Sequence, residues 1–515
     1  MRTKVMGALL VGALLVAGCG GNSDSDSDSD SKSTAAPKAG GELTVAHPLA
    51  PFSLDPIAGT GGGDQMSLYP IYDRLVNFDP ETLEPQPGLA TAWDYPDPQT
   101  LVLTLQEGVT FQDGTPMDAE AVKASLERAA DPDISKVASD LTSIESIEAS
   151  SPTEVTIHLS RPDTSLVLIM ADRAGMVVSP TAVEEEGADF AQHPVGAGPF
   201  SFVSYTPNDN MVLEKNADYW QDGKPYLDKI TFKYISDQQT ANNALQSHQV
   251  DMVLNVALAD VSTLKQMSGV EAVVNPSLLT AGCYMQFARP PFDDTNARLA
   301  VAYGIDREAL NESYAFGLDT PTSEVFPKEH WAFAPDLQDT YAYDPDKAKE
   351  LLTEAGHPDG ISVSGLVFQG TGEIRRMEII QQQLKAVGID LTFDVFDAPT
   401  VSQKFFTEHG YDIVCASWSG RPDPSQTGQG LFLSTSFYNT GFNAPGMDDA
   451  LAEAASAQTQ EERAAAFATV SDLNQQYAMW IPLLSEPNVT GVSDDVQGVV
   501  PNLYGKIDVS FLSKS

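Results

Sequence analysis

The sequence predicts an α/β protein built from several domains. Three observations carry this. Its 515 residues correspond to about three domains on the usual length prior. A hydrophobic fraction of 42% and a charged fraction of 20% are ordinary for a chain with large cores. Strand, helix and strand patterns follow one another through residues 363–368, 373–387 and 389–395, the alternation expected of α/β architecture.

The chain opens on what reads as an address. Arg2 and Lys4 precede an apolar run over residues 5–16, too short to span a membrane. Val16-Ala17-Gly18-Cys19 follows, small residues before a cysteine. The next residues alternate Ser and Asp up to Ser31 and reach Gly41 without an apolar anchor, so residues 19–40 are expected to form a disordered tether.

The body reads as follows. Residues 42–47 form a strand, with Leu43 and Val45 on one face. The cluster from Gly59 to Gly63 lacks the Gly-Lys-Ser/Thr of a phosphate loop and suits a turn or a close backbone approach. Residues 65–76 show helical spacing. Leu101, Leu103 and Leu105 form one strand face, Asp113-Gly114 a turn, and Asp118 a helix cap. Residues 238–248 read as a helix, residues 281–287 as a strand, and residues 298–303 as part of a helix. A capped amphipathic helix runs from Asp344 to Gly356. Residues 448–477 form a helical pair, and residues 479–484 return as a strand.

In the stretch Trp418-Ser419-Gly420-Arg421-Pro422-Asp423-Pro424, Gly and two prolines end an apolar strand and fix a turn. Such exits are common ligand sites in α/β folds. Arg421 and Asp423 alternate onto one side of an extended backbone. There they hold the two ends of a zwitterion, or each other. Cys283 and Cys415 lie in strand-like segments and read either as a disulfide or as two buried thiols.

Several function classes are excluded. The formal net charge is -43, from 72 acidic and 29 basic residues, which argues against nucleic acid as a partner. No His-Glu-x-x-His or Gly-x-Ser-x-Gly motif appears. No Cys-x-x-Cys is present to hold zinc or an iron–sulfur cluster. An enzyme, a resident metal and a cofactor are therefore not expected.

An ordered series of motifs resembles the family 5 solute-binding proteins, the peptide, dipeptide and nickel receptors of bacterial ABC importers. It includes Ile71-Tyr72-Asp73-Arg74-Leu75-Val76, Pro85-Gln86-Pro87-Gly88-Leu89, and Gly108-Val109-Thr110-Phe111-Gln112-Asp113-Gly114, with Gln112 in place of the usual His. Pro194-Val195-Gly196-Ala197-Gly198-Pro199-Phe200 and Pro290-Pro291-Phe292-Asp293-Asp294 continue it, and Gln286 stands where Asn is common. Val16-Ala17-Gly18-Cys19 resembles the lipobox of bacterial lipoproteins.

The resemblance implies a two-lobed periplasmic-binding-protein fold of type II, cluster C, with a domain inserted in the first lobe. Residues 1–18 would be the signal peptide, and Cys19 would carry lipid. Lobe I would take residues 41–76, 191–272 and 485–515, the insert 77–190, and lobe II 273–484. The function implied is a lipid-anchored receptor on the outer face of the cytoplasmic membrane. It would act as a monomer, bind an oligopeptide or dipeptide and deliver it to an ABC permease. An opine, a sugar or a metal chelate is the alternative cargo, and a tethered hydrolase or adhesin the alternative role. By motif, Asp423 would hold the peptide ammonium; Arg421 would meet a carboxylate or clamp Asp423, and Trp418 would be a wall. Gln369 and Thr371 would touch ligand at a neighbouring strand exit, Tyr284 and Gln286 would line the second lobe, and Gly61 and Gly62 would approach through backbone.

Overall fold

The computed structural model describes residues 37–59 and 63–515. Cys19, residues 1–18, most of the tether, Gly61 and Gly62 lie outside the described residues. Two sheets organise the body. The larger has 11 strands. Its main path runs Ile389–Phe396, Ile361–Phe368, Ile413–Ser419, Val270–Met285, Trp480–Ser493, Met252–Val253, Glu42–His47, Lys229–Tyr234, Asn210–Lys215, Phe200–Thr206. The smaller has 4 antiparallel strands, in the order Ala90–Asp97, Thr100–Leu105, Glu154–Leu159, Ile144–Ser151.

The α/β alternation appears where the sequence pattern put it. Strands Ile361–Phe368 and Ile389–Phe396 pair in parallel, joined by the helix Thr371–Ala386. Met377, Ile380, Leu384 and Val387 turn inward onto the sheet and are buried, as an amphipathic crossover requires. Leu101, Leu103 and Leu105 are buried with Val155 and Ile157 under the helix Ala119–Ala130, which adds Val122 and Leu126.

Helix starts follow capping chemistry. The carboxylates of Asp118 and Asp344 accept from the backbone N–H of Ala121 and Lys347, which satisfies donors that the helix itself cannot. Thr459 and Glu462 form a reciprocal capping box at the helix Gln460–Tyr477.

The helix expected over residues 65–76 is only Gln65–Leu68. Pro70 has no N–H and its ring clashes with the preceding turn, and Val76 already begins the strand Val76–Phe78. The glycines nearby are structural. A Cβ on Gly196 or Gly198 would meet the carbonyl oxygen of Ile71 at 2.3 and 2.5 Å. Gln112, where the family usually has His, clamps the same junction. Its Nε2 donates to the carbonyls of Ile71 (3.0 Å), Gly198 (3.2 Å) and Phe200 (2.8 Å), while its Oε1 accepts from Gly196 N–H (3.0 Å).

The strand expected over residues 281–287 is the end of a longer one, Val270–Met285, which pairs with Trp480–Ser493 along its length. Their register breaks between Asn275 and Leu279. Pro276 cannot donate to the ladder there. Ser277 fills the gap: its hydroxyl donates to Glu486 O at 2.7 Å. Leu278 then ties in two other segments. Its N–H donates to Leu503 O (2.8 Å), and its carbonyl accepts from Gly420 N–H (3.1 Å). Gly420 has to be glycine, because a Cβ would lie 2.5 Å from that of Leu278. The turn carrying Arg421 is thus pinned to the register break.

Candidate functional site

The strand Ile413–Ser419 is held on both sides, antiparallel to Val270–Met285 and parallel to Ile361–Phe368. Cys283 and Cys415 face each other directly across the antiparallel pair and are joined as a disulfide, buried in the core. Three residues further on, Trp418 stands at the strand's exit. Its Nε1 donates to Thr427 Oγ1 at 3.1 Å. Its ring lies so close to Gly430 that a Cβ there would come within 2.7 Å of it. Tyr438 meets it edge-on at 5.3 Å, a favoured geometry for aromatic pairs.

Trp418, Arg421 and Tyr438 form one wall of a cleft of about 560 Å³, a size typical of small-molecule sites. Asp140, Asp172 and Arg173 lie on the other wall. Gln426 Nε2 reaches across to Asp140 at 2.8 Å. A larger hollow of about 870 Å³ lies at Phe52, His193 and Tyr205, beside the edge strand Phe200–Thr206. It is an open surface depression without converging charged groups. The smaller cleft is therefore the candidate site.

Arg421 sits half-buried with its Nη1 donating to the carbonyls of Ser419 (2.5 Å) and Gly420 (3.2 Å). Burial works to lower its pKa, but Tyr504, Asp172 and Asp140 move it upward overall, so the guanidinium stays charged. Asp172 is the acidic centre opposite. It accepts from Tyr504 Oη at 2.7 Å and from Gln65 Nε2 at 3.3 Å. Burial pushes this carboxyl up, yet Lys506, Arg173 and Arg421 together outweigh burial and hold it below the usual carboxylate range. Lys506, 5% exposed, donates to Tyr504 Oη at 2.7 Å. Burial and the neighbouring Arg421 push its ammonium group well below the ordinary value, against the pull of Asp172. Arg173 donates to Gly59 O.

Four residues expected to touch ligand, Asp423, Gln286, Tyr284 and Gln369, lie outside the lining of this cleft. Asp423 is 0% exposed. Its Oδ1 caps the helix Pro424–Phe432 through Ser425 N–H (2.8 Å) and pairs with Arg463 Nη2 (2.7 Å). It neither faces the cleft nor meets Arg421, so no zwitterion clamp is formed by these two residues. Gln286 is buried, donating to Phe405 O at 2.7 Å and facing His409 at 3.0 Å. Tyr284 is buried among Phe406, Tyr438 and Trp480, behind the cleft wall. Gln369 is exposed and its N–H donates to Phe396 O at 2.7 Å; it does not line the cleft. Thr371 opens the helix Thr371–Ala386.

Asp140, Asp172, Arg173, Tyr504 and Lys506 were missed by sequence reasoning. The one local signal was the Asp172-Arg173 dyad, which follows the buried helix Leu166–Ile169 after Met170 and Ala171. The C-terminal pair had none.

This geometry is that of a receptor: a polar cleft with an aromatic wall, cations and acids, on a periplasmic-binding-protein fold of cluster C. Residues 84–440 match the family model described as bacterial extracellular solute-binding proteins, family 5 Middle. The glutathione-binding protein GsiB of Shigella flexneri is 31% identical over 463 residues, covering 87% of this chain and 89% of that protein. Two solved structures share the fold. The periplasmic binding protein DppA of Helicobacter pylori, in complex with the peptide STSA, aligns at a TM-score of 0.83 and 23% identity, over 93% of this chain and 98% of that one. AgaA of A. tumefaciens R10, in complex with agropinic acid, aligns at 0.82 and 25% identity, over 92% and 99%. The chain belongs to family 5 of the bacterial extracellular solute-binding proteins, the extracytoplasmic, non-catalytic substrate-binding components of ABC importers.

Proposed function

We propose that this protein is a lipid-anchored receptor that captures a peptide-like solute between two lobes and hands it unaltered to an ABC permease. Cys19 would carry the lipid, and residues 19–40 would be the leash. Lobe I would comprise residues 41–76, 191–272 and 485–515, the insert 77–190, and lobe II 273–484.

The observation that carries the reading is the placement of Trp418 and Arg421 in a cleft whose opposite wall comes from residues 136–174. Ligand contacts to both walls favour a closed state only through differential affinity for it. The register break at Asn275–Leu279 is a natural hinge, because the two long strands lose their regular pairing there. The relatives support a peptide-like cargo: one is named for glutathione and one holds a four-residue peptide.

Native mass spectrometry of the protein purified from its own membrane tests the cargo. Stoichiometric retention of an intact peptide-like solute is expected. A purely saccharide cargo contradicts the reading. Cys19→Ser should release the protein from membranes into the soluble fraction; unchanged membrane association contradicts the anchor.

A further inference from the structure

The charge balance of the cleft is opposite to that of the chain around it. Along the sequence 72 acidic residues outnumber 29 basic ones. Around the cleft four cations, Lys136, Arg161, Arg173 and Arg421, outnumber two acids, Asp140 and Asp172.

Both acids already have donors. Asp172 accepts from Tyr504 and Gln65, and Asp140 from Gln426. The cations are less engaged. Among the described residues, the ion pair of Arg173 with Asp64, at 3.8 Å, is the only one that reaches a cation of the cleft. Arg161 bonds Thr142 through its carbonyl (3.4 Å) and hydroxyl (2.9 Å). Arg421 has two carbonyl acceptors, both met by Nη1; a guanidinium carries five N–H donors. Behind the lining lies Lys506, a further basic group, with Asp172 and Asp64 as its acidic neighbours.

Surplus positive charge in a partly enclosed cleft is unfavourable, and a carboxylate that offsets it binds through short, charge-assisted hydrogen bonds. Arginine suits this best, because its planar fork matches a carboxylate with two donors. An ammonium group entering the same cleft meets surplus positive charge, four cations against two acids.

Resting on the receptor reading above, we propose that the cleft selects an anionic, peptide-like solute with at least two carboxylates. One carboxylate is held by Arg421 beside Trp418. A second is held at the rim by Lys136 and Arg161. The cleft provides no carboxylate clamp for an α-ammonium group.

Calorimetric titration of the ligand-free protein with Glu-Glu, N-acetyl-Glu-Glu, Ala-Ala and Lys-Lys tests this. Both acidic peptides should bind, N-acetylation should be tolerated, and Ala-Ala should bind at least about tenfold more weakly. Lys-Lys should be weaker still, and added salt should lower the affinity for Glu-Glu. Lys136→Gln combined with Arg161→Gln, at exposed positions, should weaken Glu-Glu about threefold to tenfold with unchanged melting. Equal binding of Ala-Ala or Lys-Lys, or loss of binding on N-acetylation, overturns the proposal and leaves the peptide reading standing. If no peptide binds, citrate and glutarate decide. Their retention keeps the charge selection and overturns the peptide cargo; failure of these as well overturns both.

Discussion

Arg421 and Asp423 stand two residues apart on one turn, yet they belong to different parts of the molecule. Arg421 faces the cleft, with backbone carbonyls as its acceptors. Asp423 lies fully buried, bonded to Arg463 and Ser425. The difference teaches that a charged residue near a strand exit can meet a ligand only if its side chain is left facing open space. Pro422 and the helix cap turn the chain between the two, so the alternation of an extended strand stops at Gly420.

The largest expected effect falls on the buried side. Asp423→Ala removes the partner of Arg463 and the cap of the helix Pro424–Phe432. Breaking a buried pair from one side costs about 3–5 kcal/mol, so urea unfolding should show a loss of that order. A loss below about 1 kcal/mol would mean that the Arg463 pair contributes little.

Next comes the disulfide behind the same strand. It closes a separation of 132 residues, and removing such a crosslink typically costs about 2–4 kcal/mol. Cys283→Ala with Cys415→Ala should lower stability by about that much while the cleft persists. Unchanged thermal melting would show that the sheet pairing alone fixes the strand.

A third buried group sharpens the comparison. Asp319 is neither paired nor exposed: both its carboxylate oxygens lack a hydrogen-bond partner. It lies near the ion pair of Arg376 and Glu486, whose N–O distance is 2.7 Å. Burial first, and Glu486 second, push its pKa from 3.8 to about 8, against the pull of Arg376. The folded value is raised, so its contribution to stability is fully present below about pH 4 and is lost as pH rises through about 8. Asp319→Asn should remove that decline and leave the variant more stable above pH 8 by several kcal/mol. Parallel stability profiles for the two proteins would contradict this.

Local chemistry was legible in the sequence. The alternation around residues 361–396, the caps Asp118 and Asp344, and the Trp418 to Arg421 exit were read from neighbouring residues alone. Pro70 was the missed local signal that shortened the first helix. Residues 270–280 of the long strand Val270–Met285 were missed because Val270 to Pro276 is half-exposed and lacks a clean alternation. The far wall of the cleft was illegible for a different reason. Asp140, Asp172, Tyr504 and Lys506 come from distant segments, and only tertiary packing brings them to Arg421. Asp423 was misread because a cap and an ion pair satisfy the same carboxylate, and its partner Arg463 lies 40 residues away.

The most direct test sets the two residues of the turn side by side. Glu-Glu is titrated calorimetrically into Arg421→Gln and Asp423→Asn, each checked for folding by its melting curve. Arg421→Gln should weaken binding at least about tenfold, while folded Asp423→Asn should stay within about threefold of the parent protein. The opposite pattern, affinity lost with Asp423 and kept without Arg421, would contradict the assignment of the cleft.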